Sequence, residues 1–175
     1  MPAGFHVLIA AQFCSALADN ALLLVAIAFL EQTGSPGWWA PLLKFCFTVA
    51  YVVLAPVVGP LADSMPKARL MAWMNGLKMA GVVALCAGLH PWAAFGIVGL
   101  GAAAYAPAKY GLITEIVPPR DLVRANAWLE VSVVGAVLLG AVLGGLLVGG
   151  ALTGLLPAGA HSRLAAWGVA DGTTL

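Results

Sequence analysis

Apolar residues run along this chain in blocks of about twenty, longer than a strand and close to the helix length that crosses ~30 Å of hydrocarbon. Charges and Pro/Gly clusters separate the blocks, and this predicts helices near residues 5–30, 41–62, 70–89, 92–114 and 122–150. Between them lie EQTGSPGWWA at 31–40, DSMPKAR at 63–69, a turn at His90 and Pro91, and TEIVPPRDLVR at 114–124. No basic residue precedes the first block, and it exceeds the ~7–15 apolar residues of a secretory signal, so it reads as a first membrane helix. After Gly150 no further clean block of spanning length appears, and Pro157, Arg163 and Asp171 interrupt the remainder. The expected organisation is a partial transmembrane domain over 1–152 and a divergent or disordered tail over 153–175. Five helices read as part of a larger bundle, and the chain as a truncated, split or frameshifted product.

Glycine adds a packing signal in the fifth block. Ala136, Gly140 and Gly144 recur every fourth residue, as do Gly145 and Gly149. Small residues at that spacing let two helix backbones approach closely, so a tight partner helix is expected.

Composition turns these blocks into a membrane assignment. Of 175 residues, 62% are hydrophobic and 9% charged, with a mean hydropathy of +1.00. A soluble domain would expose such runs as one very large apolar patch. The expected class is all-α, a polytopic bundle. A net charge of +1 without any Lys/Arg run gives no footprint for nucleic acid, and none is expected as a partner. Cys14, Cys46 and Cys86 show neither CxxC nor Cys/His ligand spacing, so they read as small buried residues and not as a disulfide or zinc framework. His6, His90 and His161 sit at ends or turns, and no HExxH, nucleophile set or phosphate loop is present. Catalysis, metals and cofactors are accordingly not expected.

The placement of basic residues supplies an orientation. Lys67 and Arg69 fall in the second connection, Arg120 and Arg124 in the fourth, and the first and third have none. The positive-inside rule then puts the even connections and the N-terminus in the cytoplasm. Trp38, Trp39 and Trp92 become aromatic anchors at the outer interface, and Lys44, one turn inside the second helix, snorkels toward it.

Polar groups inside the blocks carry the chemistry. A charge at the bilayer centre costs about 2.5–3.5 kcal/mol on insertion scales, so an ionisable residue there points to function. Asp19 and Asn20 lie on the first helix, Asn75 and Lys78 on the third, Lys109 on the fourth, and Asn126 and Glu130 on the fifth. Spacings of three and four put Asn75 with Lys78, and Asn126 with Glu130, on shared faces. Either these groups line a wet substrate path, or they are interhelical bonds worth about 0.6 kcal/mol each that only hold the bundle together. Pro107 removes a backbone donor from the fourth helix, which either frees a carbonyl to line a cavity or merely kinks the helix.

The second connection, GPLADSMPKAR, sets Gly59, Asp63, Lys67 and Arg69 in the order G-x-x-x-D-x-x-x-K-x-R. It resembles the loop between helices two and three of the major facilitator superfamily, where acid and base latch neighbouring helices in the outward-facing state. It departs by having Ser64 where many members are basic and Pro66 where many carry glycine. Together with AQFCSALADNALLL at 11–24, GAAAYAPAKYG at 101–111 and RANAWLE at 124–130, it resembles the lysophospholipid transporter branch of that superfamily. The likeness runs from about residue 8 to residue 150.

That resemblance implies a multi-pass protein of the bacterial inner membrane moving lysophosphatidylethanolamine and lysophosphatidylglycerol inward by alternating access. It also implies about twelve helices, a missing C-terminal half, and a functional link to an acyltransferase/acyl-carrier-protein synthetase. Asp19 and Lys109 become its charged cavity residues, with Asn20, Tyr110, Asn126 and Glu130 around them; Asn75 and Lys78 join this substrate-binding set from the reading of the polar groups above, not from the resemblance. Lys109 is assigned to phosphate; Asp19 takes an ammonium, an arginine from the missing half, or a coupling cation. Another small-molecule transporter of the superfamily, or a nonfunctional fragment or assembly partner, remains the alternative.

Overall fold

The computed structural model describes residues 3–32 and 34–149, and within this range the side chains of Ala3, Gln32, Ala62 and Asp63 are not described. Five long helices follow one another: α1 (Ala3–Gln32), α2 (Trp39–Ser64), α3 (Lys67–Cys86), α4 (Pro91–Ile116) and α5 (Leu122–Val148), with a 3-10 turn at Pro119–Asp121. No strand occurs among the described residues. The expected tail over 153–175 lies outside them. Three segments, Gly4–Glu31, Trp39–Leu61 and Pro119–Val148, are long and apolar enough to cross a membrane by length and composition alone. Lys67, Arg69, Asn75 and Lys78 dilute the apolar character of α3, and glycine, proline and Lys109 that of α4.

Local chemistry explains where the helices end. Gly88, with φ of +96°, stops α3 at Cys86, three residues before the expected limit. Its N–H donates to the Leu85 carbonyl (3.0 Å) and that of Leu89 to Ala84 (2.9 Å), the paired bonds of a Schellman cap. His90 then caps α4, with Pro91 in the first turn where its missing N–H costs nothing. The second connection proves much shorter than the expected 63–69. Only Met65 and Pro66 separate α2 from α3, because Pro66 (φ −53°, ψ 125°) starts the next helix directly, its carbonyl accepting from the N–H groups of Arg69 and Leu70.

The chain divides into two compact units: Met1–Ala10 with Pro41–Leu129, and Ala11–Ala40 with Glu130–Leu175. In the first, α3 packs antiparallel along α4. Its core joins Phe5, Leu70, Met71, Tyr105, Ile113 and Leu129, and α4 contributes an unusually buried run through Ala102, Ala103, Ala104 and Ala108. Inside hydrocarbon, helix association depends on close packing more than on apolar burial, so small side chains set the spacing. Gly99 shows this: a Cβ there would lie 2.8 Å from the Phe47 carbonyl oxygen on α2. Gly99→Ala should therefore destabilise the purified chain in detergent by about 1–3 kcal/mol, whereas Gly96→Ala, which meets nothing within 4 Å, should leave the unfolding transition unmoved or raise it.

In the second unit α1 and α5 run parallel, with Gly135 beside Phe13, Gly140 beside Leu17 and Asn20, and Gly144 beside Ala21 and Leu24. The row Ala136, Gly140, Gly144 is buried as expected. Gly145 and Gly149 are exposed, with no packing partner on another helix among the described residues. One residue of helix is a 100° turn, so a second row offset by one position faces elsewhere. The cysteines also depart from expectation: Cys14 and Cys86 are exposed and Cys46 half-buried, all three unbonded, because their helices turn other faces to the core.

Candidate functional site

In the first unit each helix of the α3/α4 pair buries a cation. Lys78 on α3 is 8% exposed and Lys109 on α4 is 7% exposed. Gly101, Tyr105 and Lys109 stand four residues apart and form one row on α4. A Cβ on Gly101 would lie 2.8 Å from Cγ of Lys78, so the missing side chain is what admits the lysine stem. The Lys78 Nζ lies over the ring of buried Tyr105, 5.4 Å from its centroid. One turn further on, Nζ of Lys109 lies 4.7 Å from the centroid of Tyr110. A ring face attracts a cation through its quadrupole, worth up to ~2 kcal/mol once water is excluded. Ammonium groups held this way offer positive charge and N–H donors to an anion, and a phosphate suits them.

Asn75 is half-buried one turn before Lys78, while the Tyr110 and Asn126 side chains are exposed. The helix is continuous through Pro107. At the start of α3, Lys67 is ion-paired with Glu115 across α3 and α4, and its stem covers Gly111. The pair is partly solvated, so its worth is below about 1 kcal/mol. Arg69 and Gly59 are exposed, and the Asp63 side chain lies outside those described.

In the second unit Asp19 is half-buried on α1. The Asn20 amide donates 2.8 Å to the Ala16 carbonyl of its own helix, and its Cβ lies against Gly140. Glu130 is exposed at the start of this unit's part of α5. Gln12, at 7% exposure, is buried seven residues before Asp19 on the same face of α1.

Sequence reasoning missed three of these groups. Tyr105 was signalled by its place four residues before Lys109, Gln12 by its seven-residue spacing from Asp19, and Glu115 by its position opposite the basic start of α3. No group of three or more His, Cys, Asp or Glu that could hold a metal occurs among the described residues.

Long apolar helices carrying buried cations define a multi-pass membrane protein. Its sequence matches the Major Facilitator Superfamily profile over residues 8–161, and the chain belongs to that superfamily of membrane transporters. The lysophospholipid transporter LplT of Yersinia enterocolitica is 47% identical over 138 residues, 79% of this chain and 34% of that protein. The proteins of the same name from Yersinia pestis and Yersinia pseudotuberculosis are 48% identical over 131 residues, 75% of this chain and 32% of theirs. The chain thus spans about a third of the length of the curated relatives it matches. No solved structure matches it significantly.

Proposed function

We propose that this chain forms the N-terminal part of a lysophospholipid transporter of the bacterial inner membrane, with its N-terminus in the cytoplasm. The observation that carries the reading is the pair of lysines buried over tyrosine rings in a membrane bundle, in a chain 47% identical over most of its length to a protein named for that transport. A one-chain phospholipid needs a polar path for its phosphate and head group and an apolar one for its tail. Lys109 receives the phosphate, Lys78 adds positive field behind Tyr105, and Asp19 takes the head-group ammonium or an arginine from the rest of the transporter. Asn20, Asn75, Tyr110, Asn126 and Glu130 complete the polar lining.

Transport proceeds by alternating access of two halves around a site near the midplane, and no bond of the lipid is made or broken. The loop residues Gly59, Asp63, Lys67 and Arg69 govern the switch, with Lys67 held on Glu115. Reacylation of the delivered lipid falls to an acyltransferase/acyl-carrier-protein synthetase. The test is uptake of acyl-labelled lysophosphatidylethanolamine and lysophosphatidylglycerol by vesicles containing the full transporter that includes this chain. Uptake above that of vesicles lacking the protein is expected, and its absence for both lipids would overturn the reading.

A further inference from the structure

Gln12 stands within α1, nine residues after its start at Ala3, and its side chain is 7% exposed. Its carbonyl oxygen Oε1 is buried and accepts no hydrogen bond from the described residues. A helix cannot repair this by itself. It offers side chains carbonyl acceptors one turn back, as Ala16 does for the Asn20 amide, but its own N–H groups are committed to the backbone ladder. Hydrocarbon supplies no donor either. A mid-helix carboxamide can thus satisfy its NH2 locally, while its oxygen awaits a donor from outside the helix.

We propose that Gln12 determines lipid specificity, its carbonyl accepting the free glycerol hydroxyl of a one-chain phospholipid. This rests on the lysophospholipid reading given above. A lysophospholipid carries that hydroxyl whatever its head group, whereas in a diacyl phospholipid an ester takes its place and has no proton to donate. A site with a buried acceptor penalises a ligand that leaves it unpaired, and such sites reject hydroxyl-lacking analogues far more strongly than apolar pockets reject a changed methylene. In the ethanolamine lipid the head-group ammonium is the other donor, and the charges sort the two. Asp19, on the same face, offers the ammonium a charged partner, and the neutral amide oxygen is left for the neutral hydroxyl. Seven residues of helix separate these acceptors by about 10 Å, a span of the same order as the extended bonds from glycerol hydroxyl through phosphodiester to ethanolamine nitrogen.

The experiment compares vesicle uptake of lysophosphatidylethanolamine with that of its deoxy analogue, hydrogen replacing the glycerol hydroxyl, by the full transporter and its Gln12→Leu and Gln12→Glu variants. Wild type is expected to favour the hydroxyl lipid by about tenfold or more. Gln12→Leu should bring the ratio within about twofold by losing uptake of the hydroxyl lipid alone, its retained uptake of the deoxy analogue showing a folded protein. Gln12→Glu, which keeps an acceptor oxygen, should preserve the preference. Equal uptake of both lipids by wild type, or an unchanged preference in Gln12→Leu, overturns the role of Gln12 and leaves the transport reading standing. Absence of wild-type uptake of lysophosphatidylethanolamine and its analogue, together with absence of lysophosphatidylglycerol uptake, overturns both readings.

Discussion

Lys109→Ala in the full transporter is expected to cut lysophospholipid uptake at least about thirtyfold, because truncating one member of a desolvated charge pair costs about 2–5 kcal/mol. The proposed partner is the lipid phosphate, which would enter a bundle of low dielectric and lose its principal cation. Lys109 is 7% exposed and sits with its ammonium over Tyr110, so its charge already occupies a defined place before a ligand arrives. Lys109→Arg should restore uptake only in part. A planar guanidinium is bulkier than an ammonium, and the lysine stem is packed within the buried run of α4. Asp19→Asn should lower uptake of ethanolamine lipid more than of glycerol lipid if the carboxylate meets the ammonium. Unchanged uptake in both Lys109→Ala and Asp19→Asn, at matched protein levels and melting temperature, would refute the site.

Gly140→Leu is expected to disrupt the α1/α5 pair and lower the thermal transition of the purified chain further than any other single glycine replacement in α5. Even a methyl group there would lie 2.6 Å from the Leu17 carbonyl oxygen and 3.0 Å from Cβ of Asn20. The first contact is with backbone, which cannot swing aside as a flexible side chain can. Overpacking of this kind costs about 1–3 kcal/mol, and an isobutyl group should exceed that range. The control is Gly145→Leu, whose first added atom meets nothing within 4 Å among the described residues. Equal melting of the two variants would show that the seam between α1 and α5 does not hold the unit.

The number and order of helices were legible because apolar blocks of spanning length are hard to mistake, and charges mark their ends. The ends themselves were less so. The cap at Gly88 depends on bonds from two successive N–H groups, and the short α2/α3 connection depends on Pro66 acting as a starter, whereas sequence reading used its charges and proline to draw a seven-residue loop. The packed glycine row was visible in its spacing, but spacing does not say which of two rows faces a partner. Lys78 and Lys109 stood out as charges in apolar surroundings, and their burial agrees with an inward direction. Tyr105 and Gln12 did not stand out, since a tyrosine or a neutral amide in a helix is ordinary until its neighbours are known. Glu115 was hidden by its assignment to a connection, although α4 runs through it to Ile116.

The antiparallel fit of α3 on α4 also bears on how the protein is made. A helix leaving the translocation channel alone with Lys78 and Asn75 exposed would meet an insertion penalty of about 2.5–3.5 kcal/mol for the lysine. Against α4, the stem of that lysine finds the groove at Gly101 and its ammonium the face of Tyr105. The hairpin therefore enters the bilayer at lower cost as a pair than α3 does singly, and the two-helix unit, tied by Gly88 and Pro91, is the natural parcel of biogenesis.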